Sequence, residues 1–180
     1  MSPDRFAASI LLPNLADLEA EVGIPINFGA AQFLLTVALH ESDCARRYQR
    51  SRLLPAGRAR GWWNFNRSSE LRFVMHSARS RAKARTWTEH CDVDWDEHAI
   101  WRALEGHDAL AVGFARLLLL TDIFPLPETS GEAWHCYAVR LWRTNRGRQR
   151  LWPQHWTLAG HVLQSLRPQG NQRAGMEDAA

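Results

Sequence analysis

The chain has few cysteines, and they do not form a pattern that would bind a metal. Its 180 residues include Cys44, Cys91 and Cys136, which are widely separated along the sequence. An odd number at such spacings favours neither a disulfide framework nor a zinc site. We therefore expect each thiol to be a small buried apolar group, as in a protein that folds in a reducing compartment.

Long hydrophobic runs are also missing. The longest apolar stretch, around residues 117–120, is much shorter than a bilayer span requires. Near the N-terminus, Pro13, Asn14 and Asp17 interrupt the apolar residues, so we expect neither a signal peptide nor a membrane span. Gly-rich phosphate loops and Gly-x-Ser-x-Gly nucleophile motifs do not occur. The eight histidines are scattered, and no shared face with carboxylates at metal-ligand spacing is found for His76, His90, His98 and His107. The sequence predicts no metal and no cofactor.

Helical periodicity is what the chain has in abundance. No segment has a convincing period of two and no repeat is found, so the sequence predicts an all-α single domain over residues 1–166 with a cleft. Residues 167–180 are predicted to be a flexible polar tail. Asn27 is a candidate N-cap, and residues 43–66 are a candidate functional loop. Helices are predicted over residues 13–22, 28–41, 71–75, 80–87, 94–104, 108–120, 129–142 and 153–166.

Tryptophan and arginine are enriched in ways that suggest a binding surface. Nine tryptophans exceed what a core of this size needs, so the surplus predicts a cleft lined with rings. The formal net charge is only +3, but six arginines fall close together. Such a cluster is typical either of a polyanion-binding patch or of an ordinary solvated surface, and both remain open. The six are Arg46, Arg47, Arg50, Arg52, Arg58 and Arg60.

The strongest chemical signal is a single carboxylate at the end of an apolar helix. Residues 38–42 read Ala-Leu-His-Glu-Ser, which makes Glu41 the candidate acid. Residues 57–65 follow as a Gly-bracketed loop, Gly-Arg-Ala-Arg-Gly-Trp-Trp-Asn-Phe. A carboxyl group in an apolar setting, opposite flat rings and an amide, suits general acid catalysis on a glycosidic bond. The alternative is a solvated Glu in the last turn of a helix.

These segments resemble the soluble lytic transglycosylases and goose-type lysozymes, including lysozyme-like proteins of bacteriophages and prophages. Residues 38–42 resemble the family's Glu-Ser signature, and residues 61–64 (Gly-Trp-Trp-Asn) stand where the family has Gly-Leu-Met-Gln. Residues 108–118 resemble a later family helix, and residues 133–137 (Ala-Trp-His-Cys-Tyr) stand where the family has Ala-Tyr-Asn. The chain departs from the pattern at Asn64, which replaces Gln, and after Tyr137, where the Asn is missing.

The resemblance implies a lysozyme-like helical domain that cuts the glycan strands of peptidoglycan. Glu41 would be the catalytic acid and base, and Tyr137 would orient it. The implied substrate-binding residues are Ser42, Gly61, Trp62, Trp63, Asn64 and Tyr137. The two tryptophans are candidates to stack on sugars, and because adjacent side chains in an extended segment diverge, one of them is expected to pack in the core instead. Such a protein would be made in the cytoplasm of a bacterial host, act in the periplasm, and have other virion proteins as further partners.

Two choices stay open at this point. A hydrolase normally needs a second carboxylate, and Asp43 and Asp122 are more readily explained as solvated or capping residues, so a transglycosylase is favoured. The second interpretation is a non-catalytic virion or nucleic-acid-associated protein on the same fold, in which the arginine cluster contacts phosphates. On the enzyme interpretation, nucleic acid binds only non-specifically.

Overall fold

The structure is a computed structural model that describes residues 1–47, 59–143 and 146–167. Within these ranges helices dominate, which confirms the all-α expectation in its coarse form. The helices are α1 (Pro3–Phe6), α2 (Leu12–Val22), α3 (Phe28–Ser42), α4 (Arg72–His76), α5 (Arg81–His90), α6 (Glu97–Ala103), α7 (Asp108–Thr121), α8 (Ser130–His135) and α9 (Trp152–Ser165). The predicted tail lies outside the described residues from residue 168 onward.

Helix α3 is the centre of the fold and the element that carries Glu41. Asn27 caps it as predicted, because its side chain accepts a hydrogen bond from the Ala30 amide. Most residues of α3 are buried, including the polar Thr36 and His40, so the helix lies in the core. Helix α7 is buried in the same way and packs against α3, while α9 packs along α3 from another side.

The contact between α3 and α9 depends on a small residue. At Gly160 an added Cβ would lie 2.9 Å from the side-chain nitrogen of Gln32. That nitrogen donates to the Trp156 carbonyl at 3.1 Å and so ties the two helices together. The close approach brings Trp152, at the start of α9, to the end of α3 where Glu41 lies.

The first helical region begins earlier than the sequence predicted. Helical backbone starts at Pro3, continues through a π-helical segment, Ala7–Leu11, and reaches Val22. The predicted helix through Val22 is confirmed, with Pro13 in the first turn of α2 and Gly23 ending the helix. Pro13 has no N–H to donate, so it cannot take part in the helical hydrogen-bond pattern as a donor. Just before it the pattern becomes π-helical, and the Leu12 amide donates to the Ala7 carbonyl five residues back.

Similar π-helical segments extend two other helices. Arg67–Leu71 leads into α4, and Cys136–Leu141 follows α8. The predicted helix over residues 129–142 is therefore real but changes its hydrogen-bond pattern at Cys136. Its start is as expected, since Thr129 and Glu132 form a reciprocal capping box.

A small β-hairpin corrects the expectation of a chain without strands. Strands β1 (Ala59–Arg60) and β2 (Phe65–Asn66) pair antiparallel, with Arg60 opposite Phe65. Each strand has two residues, which is too short for an alternating pattern to be visible in the sequence. The hairpin lies at the end of the segment predicted as a loop, of which residues 48–58 lie outside the described residues.

Candidate functional site

Glu41 lies in the last turn of α3 and is half-buried. The helix ends at Ser42 because Asp43 adopts a left-handed conformation, with φ of 54°. The Asp43 amide closes the turn on the Leu39 carbonyl at 3.0 Å. A buried helix therefore delivers one carboxylate to its own end, at the boundary between the core and solvent.

Two polar side chains from distant segments bind the carboxylate of Glu41. The Tyr137 hydroxyl donates to Oε1 across 96 residues of sequence. The Asn64 amide nitrogen donates to Oε2 at 2.9 Å and also to the Glu41 carbonyl at 3.0 Å. The expectation that Tyr137 contacts Glu41 is met, and both carboxylate oxygens have a donor.

The β-hairpin positions Asn64. Its four-residue turn is bounded by Gly61, with φ of 74°, and by Asn64, with φ of 50°. Glycine and asparagine tolerate this left-handed region better than other residues. At Gly61 a Cβ would also lie 2.8 Å from the Leu104 carbonyl, so no other residue fits there. Gly61 was predicted to bind substrate, but it is buried and shapes the turn instead.

Tyr137 is positioned by a cluster of rings. Its side chain is 1% exposed and stacks on Trp152 with ring centroids 4.8 Å apart. Trp142 packs on it at 5.7 Å, and the buried His40 ring meets it edge-on at 5.4 Å. His40 also approaches His155, with their Nδ1 atoms 3.3 Å apart. With its ring held on several sides, Tyr137 has little freedom to turn its hydroxyl away from Glu41.

The two tryptophans predicted to stack on sugars are core residues. Trp63 is 0% exposed and donates its indole N–H to the Leu34 carbonyl at 2.8 Å. Trp62 is 4% exposed and donates to Asp108 at 2.9 Å, with the Arg47 guanidinium over its ring. The stacking prediction is wrong for both, since neither ring face is available to a ligand. Adjacent bulky rings in a short turn are both buried because α3 lies on one side and α7 on the other.

Two further substrate-binding assignments change. Ser42 is 1% exposed, and its hydroxyl donates to the Ala38 carbonyl at 2.7 Å within α3. It therefore has a structural role. Asn64, expected to bind substrate, has its amide nitrogen bonded to Glu41 instead. Asn64 belongs to the site as a residue that positions the acid.

Glu70 is the residue that sequence reasoning missed. Its side chain is 6% exposed, and its Oε2 accepts from the Asn66 amide at 2.9 Å and the Ser69 hydroxyl at 2.6 Å. Burial raises the pKa of Glu70 above its ordinary value, and the charge of Glu41 adds to that effect. The two carboxyl groups are thus close enough to influence each other. The sequence signal, an acid four residues after the N-cap Asn66, indicates helix capping and not a site.

A groove begins beside Glu70. It has a volume of about 710 Å³ and runs between the helical residues 68–77 on one side and residues 140–143 on the other. Trp142, in the wall of the groove, packs against Tyr137 and donates its indole N–H to the Trp63 carbonyl at 2.9 Å. Glu70 and Trp142 therefore connect the groove to the residues around Glu41.

The other candidate carboxylates are engaged in structure. Asp43 pairs with Arg46 at 2.8 Å. Asp122 pairs with Arg140 at 2.8 Å, accepts from the Cys136 thiol, and has a side chain only 6% exposed. Neither approaches Glu41 as a hydrogen-bond partner among the described contacts.

The described arginines of the predicted cluster are paired with acids. Arg46 binds Asp43, Arg47 binds Asp108 at 2.6 Å, and Arg60 binds Glu105 at 2.8 Å while its guanidinium lies over the Trp101 ring. The remaining three, Arg50, Arg52 and Arg58, lie outside the described residues. In the described part, Arg47 joins the segment after α3 to the start of α7, and Arg60 joins β1 to the connection between α6 and α7.

The cysteines behave as buried apolar groups, as expected. Cys44, Cys91 and Cys136 are free thiols, and burial raises the pKa of each to about 12. Across residues 1–47, 59–143 and 146–167, no cluster of three or more His, Cys, Asp or Glu side chains is placed to hold a metal ion. In the same ranges, no helix has the length and apolarity needed to cross a membrane.

Comparisons with protein-family models, curated protein sequences and solved structures returned no match to this chain. The chemistry of the site must therefore be argued from the arrangement of Glu41, Asn64 and Tyr137.

Proposed function

We propose that this protein cleaves the glycosidic bond between N-acetylmuramic acid and N-acetylglucosamine in peptidoglycan, with Glu41 as the single acid and base. One observation carries the proposal. A half-buried carboxylate at the end of a buried helix receives a phenol hydroxyl and an amide N–H from segments far away in sequence. This is the arrangement that the resemblance to lytic transglycosylases implied for Glu41 and Tyr137.

The proposed reaction has two proton transfers through one group. Glu41 first donates its proton to the glycosidic oxygen, so the departing N-acetylglucosamine leaves as an alcohol. The resulting carboxylate then removes the proton from the C6 hydroxyl of the muramyl sugar, whose oxygen attacks C1 and closes a 1,6-anhydro ring. The acid is regenerated and no water is consumed.

The contacts of Glu41 suit this role. Glu41 must act first on the glycosidic oxygen and then on the C6 hydroxyl, so its side chain has to be held at a fixed orientation. Tyr137 and Asn64 each hold one of its carboxylate oxygens. The partial exposure of Glu41 leaves it a side accessible to substrate.

We favour transglycosylation over hydrolysis because the other candidate carboxylates, Asp43, Asp122 and Glu70, are engaged in structural contacts. Hydrolysis requires a carboxylate that activates water or attacks the sugar. Among the described residues, Asp43 and Asp122 are held by arginines, and Glu70 is nearly inaccessible with its pKa raised. A carboxyl group that is buried and already accepts hydrogen bonds from Asn66 and Ser69 is poorly placed to activate water.

The alternative, a non-catalytic virion or nucleic-acid-associated protein, has less support. Its phosphate contacts were to come from the arginine cluster, and the described members of that cluster each have an acidic partner. The proposed partner is therefore the glycan strand of peptidoglycan. Action in the periplasm, association with other virion proteins and non-specific binding of nucleic acid are parts of the same proposal.

The test is the set of products released from purified peptidoglycan by wild type and by Glu41→Gln. We expect anhydromuropeptides from the wild type, and a loss of at least about a hundredfold in rate for the variant, the usual scale for removing a general acid. Reducing-end products would indicate hydrolysis instead. An active Glu41→Gln protein, or a wild type that releases nothing, would contradict the proposal.

A further inference from the structure

The connection between α7 and α8 exposes apolar side chains that the core does not use. Ile123 is 77% exposed and Phe124 is 56% exposed, the two highest values among the large apolar residues of the described ranges. Pro125 follows them and is exposed as well. Single exposed apolar residues are ordinary on a protein surface, but a consecutive group on a connection marks a contact surface.

The connection is held in place by Asp122 at its base. Arg140 donates to the Asp122 carboxylate from Nε and from a terminal nitrogen, both at 2.8 Å. The Phe124 amide donates to the other carboxylate oxygen at 3.3 Å, and Pro125 and Pro127 restrict the backbone that follows. The apolar side chains are thus presented by an ordered segment, so a partner would bind them with little loss of chain entropy.

A basic segment lies against this connection. The Arg79 guanidinium donates to the Asp122 carbonyl at 2.8 Å, which places the start of α5 beside the exposed apolar residues. Residues 77–85 read Ser-Ala-Arg-Ser-Arg-Ala-Lys-Ala-Arg, with four cations and no acid. Arg79 and Arg81 are exposed, and among the described residues no carboxylate forms a salt bridge with either. Apolar side chains and uncompensated positive charge therefore lie side by side.

The acids of this region do not cancel that charge. The Asp122 side chain is 6% exposed and is paired with Arg140. The Glu132 carboxylate accepts from the backbone amides of Glu128 and Thr129 at 3.0 and 3.1 Å, in the cap of α8. Glu128 is exposed, but it lies at the far end of the connection. The surface at the start of α5 is therefore complementary to an anionic partner.

We infer that this surface docks the protein on an anionic lipid bilayer, with Ile123 and Phe124 inserted among the headgroups and Arg79 and Arg81 against lipid phosphates. Exposed apolar side chains with arginines beside them are the combination that binds an anionic membrane interface. A nucleic acid would match the arginines but would leave Ile123 without an apolar contact. A neutral apolar partner would leave both arginines unused.

Docking goes beyond the proposed function and does not depend on it. Neither Tyr137 nor Asn64, which bind the Glu41 carboxylate, belongs to the docking surface. Vesicle binding can therefore be measured on a protein that cleaves nothing, and Glu41→Gln should bind vesicles as the wild type does. Cleavage and docking can fail separately, because they use different residues.

The first experiment tests the apolar side chains by sedimentation with vesicles of phosphatidylglycerol and phosphatidylethanolamine, or of phosphatidylcholine alone. We expect the wild type to bind the anionic vesicles more tightly. Ile123→Ser should weaken that binding by about tenfold or more, the effect of removing one buried aliphatic side chain. Leu158→Ser, at an apolar residue of α9 that is 41% exposed, is the matched control and should bind as the wild type does. Both variants replace exposed side chains, so their thermal denaturation should match that of the wild type.

The second experiment tests the charges. The Arg79→Gln, Arg81→Gln double variant should bind the anionic vesicles about tenfold more weakly or worse, because each arginine near the surface attracts anionic lipid. The Arg5→Gln, Arg102→Gln double variant has the same net charge and replaces exposed arginines on α1 and α6, so it should keep the wild-type affinity. Added NaCl should weaken wild-type binding, since it screens exposed charges.

Four results would overturn the docking surface. The wild type could fail to bind anionic vesicles, or Ile123→Ser could bind them as tightly as the wild type, which would indicate adsorption by charge alone. Tight binding of duplex DNA without vesicle binding would assign the arginines to nucleic acid. A dimer that Ile123→Ser disperses, again without vesicle binding, would assign the apolar residues to a second copy of the chain.

Discussion

The end of α3 and the turn of the β-hairpin contact each other, but their most conspicuous residues differ in exposure. Glu41 is a polar residue on an apolar helix and remains half-exposed, with donors on both carboxylate oxygens. Trp62 and Trp63 are the most conspicuous residues of the turn and are buried. From the turn, the Asn64 side chain donates a hydrogen bond to the Glu41 carboxylate.

The difference separates residues that build a site from residues that act in it. Trp63 bonds the Leu34 carbonyl of α3 and accepts at its own carbonyl from Trp142. It therefore fixes the turn against the helix that carries Glu41. The rings hold the hairpin in place, and the hairpin holds Asn64 against the carboxylate. Stability should reside in the turn and chemistry at the helix end, and the following predictions test that division.

The largest expected effect is on folding. Trp63→Ala should lower the free energy of unfolding by about 3–5 kcal/mol, since it removes a fully buried indole and its hydrogen bond to the Leu34 carbonyl. Urea denaturation followed by circular dichroism measures this. Trp95→Ala, at a half-buried tryptophan away from the hairpin, is the control and should cost less. A Trp63→Ala protein of wild-type stability that fails to bind glycan would restore Trp63 as a sugar-binding residue.

Features that depend on neighbouring residues could be predicted from the sequence, whereas features that depend on contacts between distant segments could not. The cap at Asn27 and the start of a helix at Thr129 depend on local patterns, and both were predicted from a few neighbouring residues. The burial of Trp62 and Trp63 depends on α3 and α7, which are distant in sequence, so residue type alone suggested a ligand. The contact of Tyr137 with Glu41 was expected only through the family resemblance, because no local pattern spans 96 residues.

At the helix end, Tyr137→Phe should change activity and leave the fold intact. The ring keeps its stacking on Trp152, but Glu41 loses one of its two donors. We expect kcat to fall by about tenfold to a hundredfold, the range for a hydrogen bond to a charged group, with little change in KM. Steady-state kinetics on soluble glycan strands make the measurement. A rise in KM at constant kcat would mean that Tyr137 binds substrate instead of orienting the acid.

Asn64 belongs to both regions, so two variants are needed to separate its roles. Asn64→Gly and Asn64→Ala both remove the donor to Glu41 and should lower kcat to a similar extent. Because φ at this position is 50°, alanine should also cost about 1 kcal/mol of stability that glycine does not. Thermal denaturation and kinetics of the two variants test this. Weaker binding of chitin oligomers at unchanged kcat would return Asn64 to contact with an acetamido group.

The smallest effect concerns Glu70, which lies between the hairpin and the groove. Its pKa in the folded protein is raised above the ordinary value of 4.5, mainly by burial. Between the pKa of Glu70 in the unfolded chain and its higher pKa in the folded protein, the folded state holds a proton that the unfolded state has lost. Wild-type stability therefore falls as the pH rises through this window, and the loss is complete above the folded pKa.

Glu70→Gln removes this titration while its side-chain oxygen still accepts from the Asn66 amide and the Ser69 hydroxyl. The variant should therefore gain stability relative to wild type as the pH rises from 4 to 7. Urea denaturation of both proteins at each pH gives the difference, in which the other carboxylates cancel. A difference that is the same at both pH values would mean that Glu70 ionises normally.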